Sequence, residues 1–222
     1  MASHVNTDSI LIELEKSSTQ VSWCEEYKRM ISGMSFTISR SPELQARKLE
    51  TLKLLNDFND LTIPDGSTLT SLKTRRMTVA KTLLGKIGET VNIEPPFFVG
   101  WGCNVILGDD VYVNREVSFF DNALIQIGDR VLIGPGVCIC TGTHHPDPKV
   151  RGENSGTSFA RPILIEEDCW IGARATILDG VRIGRGTITA AGAVVTSDIE
   201  SGCLAGVVSA RVIRRFEEPK DM

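Results

Sequence analysis

Hydrophobic residues return every sixth position along the C-terminal part of this chain. Ile165, Ile171, Ile177, Ile183, Thr189 and Val195 share one phase, and all but Thr189 are β-branched hydrophobes. The fifth place of each hexad is small: Cys169, Ala175, Val181, Thr187 and Ala193. Ile127, Ile133 and Ile139 keep the same step upstream, with Val131, Val137 and Thr143 in the small place. Leu107, Val113 and Phe119 keep it again, with Val111, Val117 and Ala123. Turns such as Gly108-Asp109-Asp110 and Gly134-Pro135-Gly136 separate these short runs of β-formers. A period of six with turns excludes an amphipathic helix, and spacing this regular argues for a solenoid over a sandwich. Three hexads make a circuit of about 18 residues, which predicts a parallel β-helix with three flat faces. Ile127–His144, Ile165–Arg182 and Ile183–Glu200 each supply one circuit. The inward residues then stack circuit on circuit, and their burial, at ~25 cal/mol per Å2, works against the entropy of ordering the chain.

The beat breaks at Thr143-His144-His145-Pro146-Asp147-Pro148 and resumes only at Ile165. The intervening loop, 145–164, has no apolar period and contains Pro146, Pro148, Gly152 and Gly156. A surface excursion is the plain reading, yet excursions of this length from a compact array are usually functional.

The N-terminal third has a different rhythm. Residues 1–20 are polar with one apolar burst, Ile10-Leu11-Ile12, and read as an arm or a short helix resting on a neighbour. Trp23, Tyr27, Met30 and Ile31 fall at helical spacing before Gly33, a suitable helix stop. Ser41-Pro42-Glu43 reads as an N-cap, a first-turn proline and an early acid, followed by Leu44, Leu52, Leu55 and Phe58 on one face. After a Pro64-Asp65-Gly66 turn, Leu69, Leu72, Met77, Ala80 and Leu83 predict a third helix, closed by Gly85 and Gly88. Helices this short need a surface to lie on, and solenoid ends need covering. Residues 21–90 are therefore expected to cap the coil of residues 91–216, with 217–222 as a tail. Arg29, Arg47, Lys48, Arg75 and Arg76 read first as a solvated face.

Composition narrows the class. The chain has 222 residues, 23% of them charged, and a net charge of −4, so nothing points to nucleic acid. No apolar run is long enough to span a bilayer, and the first residues lack a leader's pattern. A cytoplasmic protein without membrane attachment is expected. The six cysteines include no C-x-x-C pair and read as reduced core fillers.

The tandem I-G-x-x-V-x hexads resemble the hexapeptide-repeat acyltransferases, and in particular the maltose and galactoside O-acetyltransferases. The segments that carry the resemblance include Ile93-Glu94-Pro95-Pro96-Phe97-Phe98, Thr143-His144 with Asp147-Pro148, Cys169-Trp170-Ile171-Gly172 and Ala210-Arg211-Val212-Ile213. The cap, with Met30-Ile31-Ser32-Gly33 and Pro42-Glu43-Leu44, is similar to that family's N-terminal domain, and the match runs over 22–216. The resemblance implies a left-handed parallel β-helix, mainly β, with an N-terminal α-helical cap and a protruding active-site loop. It also implies a homotrimer with sites between subunits, in which the loop reaches over a neighbouring subunit.

The chain's three histidines are His4, His144 and His145. His144 closes a circuit where the chain leaves the lattice, so rigid coil fixes it on one side. An imidazole, with an ordinary pKa of roughly 6.5, suits a general base at neutral pH. The resemblance gives His144 that role: taking the proton from an acceptor hydroxyl as its oxygen attacks the thioester of acetyl-CoA. His145 stands where relatives commonly have proline and is expected to support the site or face solvent. For the acceptor, the resemblance points to Asn114, Asp121, Asn122 and Lys48. Gly100 replaces a serine that contacts sugar in the galactoside enzymes, Thr157-Ser158-Phe159 replaces a glutamate frequent in maltose-type relatives, and Phe36–Ser41 lacks the family's usual aspartates, so the acceptor is less defined than the reaction. For the donor, it points to Trp170, Ala173, Ala191, Thr196, Arg211 and Arg214, small residues for the pantetheine arm and arginines for the phosphates. The expectation is an O-acetyltransferase that uses acetyl-CoA on a sugar or another small hydroxyl compound, non-sugar alcohols included, and needs no metal. A non-catalytic β-helix that binds or scaffolds is the alternative. A zinc site of the three-histidine type would need ligands that converge, which His4, His144 and His145 cannot supply.

Overall fold

The computed structural model describes residues 23–153 and 158–216; the N-terminal arm and the C-terminal tail expected from the sequence lie outside them. Among the described residues, three α-helices precede the coil. Helix α1 spans Glu25–Ile31, α2 Pro42–Phe58 and α3 Leu69–Leu83. The Ser41 hydroxyl caps α2 by accepting from Leu44 N at 3.2 Å, with Pro42 in the first turn as the sequence predicts. Thr68 and Ser71 close a reciprocal capping box on α3. Leu52 and Leu69, placed on the inward faces by spacing alone, are exposed instead, because both helices rest on the coil through narrower stripes. Leu55, Phe58, Ala80, Leu83 and Leu84 form those stripes, and they belong to the same apolar cluster as the first circuits of the coil. Phe58 meets Phe97 edge to face at 5.8 Å, and Phe97 meets Phe119 in the same way at 5.3 Å. The cap therefore continues the stacked core past its last circuit.

From Lys86 onward the chain winds through three parallel stacks, and the fold is mainly β, a parallel β-solenoid. The first face holds Lys86–Ile87, Val105–Leu107, Ile125–Ile127, Ile163–Ile165 and Arg182–Ile183. The second holds Asn92–Ile93, Tyr112–Val113, Leu132–Ile133, Trp170–Ile171, Ile188–Thr189 and Cys203–Gly206, closed by antiparallel Arg211–Arg215. The third holds Phe97–Val99, Val117–Phe120, Cys138–Cys140, Thr176–Ile177 and Val194–Val195. The hexad residues point inward as expected: Ile127, Ile133, Ile139, Ile165, Ile171, Ile177, Ile183 and Val195 are all buried. Thr189 keeps its place in this apolar column because its hydroxyl accepts from Gly172 N at 3.3 Å.

Circuit length departs from the expected eighteen. Ile87, Leu107 and Ile127 stack at steps of twenty. On this face only Ile165 to Ile183 keeps eighteen, and Ile183 to Ile199 takes sixteen. The surplus lies at the corner between the third and first faces, where two buried residues, Ile125 and Ile127, share one strand and restart the beat. The loop occupies that same corner in the next circuit, between Ile127 and its partner Ile165. Regular pairing resumes at Ile163 rather than Ile165. The loop is also more ordered than its composition suggests. Gly142–Thr143 pairs antiparallel with Phe159–Ala160, Ser158 bridges to Phe36 of the cap, and Pro148–Glu153 forms a short helix, α4. All six cysteines are free thiols. No helix among the described residues is long and apolar enough to cross a membrane.

Candidate active site

The corner between the third and first faces carries most of the side chains expected to handle an acceptor. Asp121 follows the third-face strand Val117–Phe120 and is fully enclosed. Its two oxygens accept from Trp101 N and Gly102 N, each at 2.8 Å. Burial pushes this carboxyl up to about 6, against the pull of those N–H groups and of Lys48. Lys48, on α2, donates to the Gly100 carbonyl at 2.6 Å and lies over the rings of Trp101 and Phe98 at 5.3 and 5.8 Å. Burial lowers its pKa, and Asp121 partly restores it. Asn122 accepts from Trp101 Nε1 at 2.9 Å, and a Cβ on Gly142 would sit 2.5 Å from its Nδ2. Glycine at 142 thus lets the outgoing strand lie on Asn122. His144 follows that strand directly and is exposed.

Three residues that spacing did not single out complete this corner. Asn104 donates to the Asp121 carbonyl at 2.7 Å and accepts from Tyr27 O–H at 2.6 Å. Thr141 accepts from Ala123 N at 2.9 Å and donates to the Phe120 carbonyl at 2.8 Å. Trp101 joins α2 to the coil: its carbonyl accepts from Thr51 Oγ1 at 3.0 Å. Trp101, Asp121 and Thr141 stand twenty residues apart, a spacing that could have revealed them. Burial raises the Tyr27 phenol and pushes the Cys103 thiol up to about 12, so neither ionises at neutral pH.

Most of the remaining expected residues lie at or beside a different corner, between the second and third faces. Asn114 lies there, accepting from Arg115 N at 2.8 Å, in the column that continues with Gly134, Gly172 and Ala190. A Cβ on Gly134 would meet Ala173 N at 2.8 Å, and one on Gly172 would meet Ala191 N at 2.6 Å. The small residues therefore let successive circuits close tightly, leaving a shallow edge at Ala173 and Ala191. Trp170, half exposed, stands beside this edge on the second face, between Leu132 and Ile188. Arg211 and Arg214 lie exposed on the closing strand of that face. Exposed guanidiniums beside a narrow apolar edge fit the phosphates and pantetheine arm of a coenzyme A molecule. Thr196 sits apart from this group, past the last third-face strand, beside a cavity with Arg161 and Asp179.

Within one chain the two groups do not meet. Asn114 precedes Val117–Phe120 and Asp121 follows it, and those four residues span about 13 Å at ~3.3 Å each. Among the described residues no cluster of His, Cys, Asp or Glu could hold a metal ion.

Comparison with known proteins agrees with this architecture. The model of the bacterial transferase hexapeptide (six repeats) matches residues 162–197, and that of the maltose acetyltransferase hexapeptide capping motif matches residues 29–88. The galactoside O-acetyltransferase of Lactococcus lactis subsp. lactis (strain IL1403) is 31% identical over 195 residues, covering 87% of this chain and 89% of its own. The chain belongs to the hexapeptide-repeat acetyltransferases. Among solved structures, a maltose O-acetyltransferase from Clostridium difficile 630 superposes with a TM-score of 0.80 at 30% identity, covering 89% of this chain and all of that one. A galactoside acetyltransferase in complex with coenzyme A follows at 0.79 and 29% identity, with 87% and 92% covered. The capping-motif match falls on α1 to α3 and the repeat match on the later circuits, so the family relation embraces both parts of this acetyltransferase.

Proposed function

We propose that this acetyltransferase transfers acetyl from acetyl-CoA to the hydroxyl of a small acceptor, with His144 as general base. The imidazole takes the hydroxyl proton as the oxygen bonds to the thioester carbon. The tetrahedral intermediate then collapses, the C–S bond breaks, and the imidazolium returns the proton to the departing thiolate. The donor lies along Ala173 and Ala191 beside Trp170, with its phosphates at Arg211 and Arg214, while Thr196 approaches it from the third–first corner of the neighbouring copy. Asn122 and Lys48 face the acceptor, while Asp121, its oxygens held by backbone N–H groups, shapes the corner they stand on.

The observation that carries this reading is the division of the residues between two corners of one prism. A second copy whose second–third corner faces the first copy's third–first corner unites His144, Asn122 and Lys48 with a neighbour's Asn114 and donor edge. Threefold repetition closes this arrangement as a homotrimer with three sites.

Two variants test it. His144→Ala should lower kcat by about 10²- to 10⁴-fold, followed as free thiol released from acetyl-CoA, while the size of the assembly is unchanged. Undiminished turnover would overturn the base assignment. Subunits of His144→Ala and Asn114→Ala, each nearly inactive alone, should regain part of the activity when unfolded together and reassembled. No recovery in trimers shown to contain both subunits would refute the shared site.

A further inference from the structure

A cavity of about 410 Å3 opens where the cap meets the loop, between α1, the Ser35–Arg40 segment and α4. Arg29, Arg40, Arg151, His145, Glu26 and Phe159 line it. Its volume falls within the ~300–1,000 Å3 of small-ligand sites and leaves room for a monosaccharide.

The charges around it are unbalanced. Arg29 is held by Ser35, its Nε donating to the carbonyl at 2.7 Å and its Nη2 to the hydroxyl at 3.1 Å. Arg151 Nη1 donates to the carbonyls of His145 and Pro146 at 2.8 and 2.7 Å. These neutral acceptors aim the guanidiniums without cancelling their charge. Arg130 and Arg161 on the coil each meet a carboxylate at 2.6 Å. Arg29, Arg40 and Arg151 form no ion pair with a carboxylate among the described residues. Glu26 is the one acid among the described residues of the lining, and one of its oxygens is engaged by Thr37 N at 2.7 Å. Three cations against one carboxylate leave an excess of positive charge in an indentation whose walls focus it.

The neutral groups agree. His145 Nδ1 accepts from Asp147 N at 3.1 Å, so the neutral ring carries its proton on Nε2 and can donate. Phe159, with its ring centre 6.4 Å from that of His145, offers an apolar face. His145 adjoins His144, with the two Cα atoms ~3.8 Å apart, so the cavity begins at the residue next to the proposed base.

We infer that the acceptor is an anionic hydroxyl compound, such as a sugar acid or sugar phosphate, whose carboxylate or phosphate is held by Arg29, Arg40 and Arg151. Guanidiniums offer paired donors that match either oxyanion. The inference rests on the acetyl-transfer reading and narrows its acceptor class.

Its test uses the full chain with acetyl-CoA and three matched acceptors: glucose, glucuronate and glucose 6-phosphate. Thiol release should give kcat/KM about 10- to 100-fold higher for at least one anion than for glucose, the range expected of hydrogen bonds to a charged group. The anion that gains separates carboxylate from phosphate recognition. Arg40→Gln should erase the preference by raising KM for the anion, and Arg40→Lys should restore part of it. Glucose used as well as both anions, or a preference untouched by Arg40→Gln, would overturn the inference. Calorimetric titration with each anion separates this claim from the one beneath it. Binding that Arg40→Gln weakens, without turnover of any acceptor, supports the anion site and refutes acetyl transfer. Absence of both binding and turnover with either anion overturns the site.

Discussion

Asp121 gives this fold a titration that can be read as stability. Its carboxyl is enclosed among backbone N–H groups, and burial raises it to about 6 from an ordinary value of 3.8. A folded pKa above the unfolded one means that the folded state holds the proton more tightly. The contribution is fully present below about pH 4 and is lost as pH rises through 6. At ~1.36 kcal/mol per unit, a gap of about two units corresponds to about 3 kcal/mol between the ends of that window. Other carboxylates titrate in the same range, so the comparison has to be with Asp121→Asn, which removes this one group. The amide keeps an acceptor for one of the two N–H donors and turns an NH2 toward the other, at a cost of about 1–3 kcal/mol that does not titrate. The measurement is urea denaturation of both proteins from pH 4 to pH 8, at one protein concentration because subunit association adds to stability. Tryptophan fluorescence follows the unfolding, and Trp101, whose backbone N–H donates to the carboxylate, contributes to it from this corner. The stability of the native chain relative to the variant should fall by about 3 kcal/mol as pH rises through the window. A difference that stays flat between pH 4 and pH 7 would show that this carboxyl is not raised.

Two further substitutions test how the cap is fixed. Phe97→Ala removes the ring between Phe58 and Phe119 and should cost about 3–5 kcal/mol, seen as loss of the cap's protection in hydrogen exchange before the coil opens. Gly102→Ala places a side chain against the Leu83 carbonyl at a backbone φ of +77°. It should lower the melting temperature by at least about 4 °C, for a loss of about 2 kcal/mol or more.

The stacked core was legible because stacking is local and periodic. A residue must be apolar when it points inward, and the chain returns it to that position on a fixed beat. What escaped was the length of each circuit. Leu107, Val113 and Phe119 already stand twenty residues before Ile127, Ile133 and Ile139, yet counting hexads hides the two residues added at one corner. Leu52 and Leu69 misled for the opposite reason. Helical spacing shows which residues share a face but not how wide a strip of it the partner covers. The acceptor corner was half visible. Asp121, Asn122 and Lys48 emerged through resemblance, but Tyr27, Asn104 and Thr141 act through hydrogen bonds between circuits. No local pattern marks such pairings. Arg29 reads in the sequence as part of a solvated face, because its setting depends on Ser35 and on a loop more than a hundred residues away.

The corner that lengthens has a consequence for how such a chain can change. Each circuit is held by inward columns whose register across the strands is untouched by what happens between Phe119 and Ile125, or between Ile139 and Ile163. Chain can be added there at the cost of loop closure alone, about 0.6 kcal/mol for each doubling of length. The solenoid thus works as a ruler with one open notch. Its pitch and columns stay constant while the notch takes in two residues in one circuit and a helix with a hairpin in the next. New recognition surface can grow at that edge without renegotiating the core.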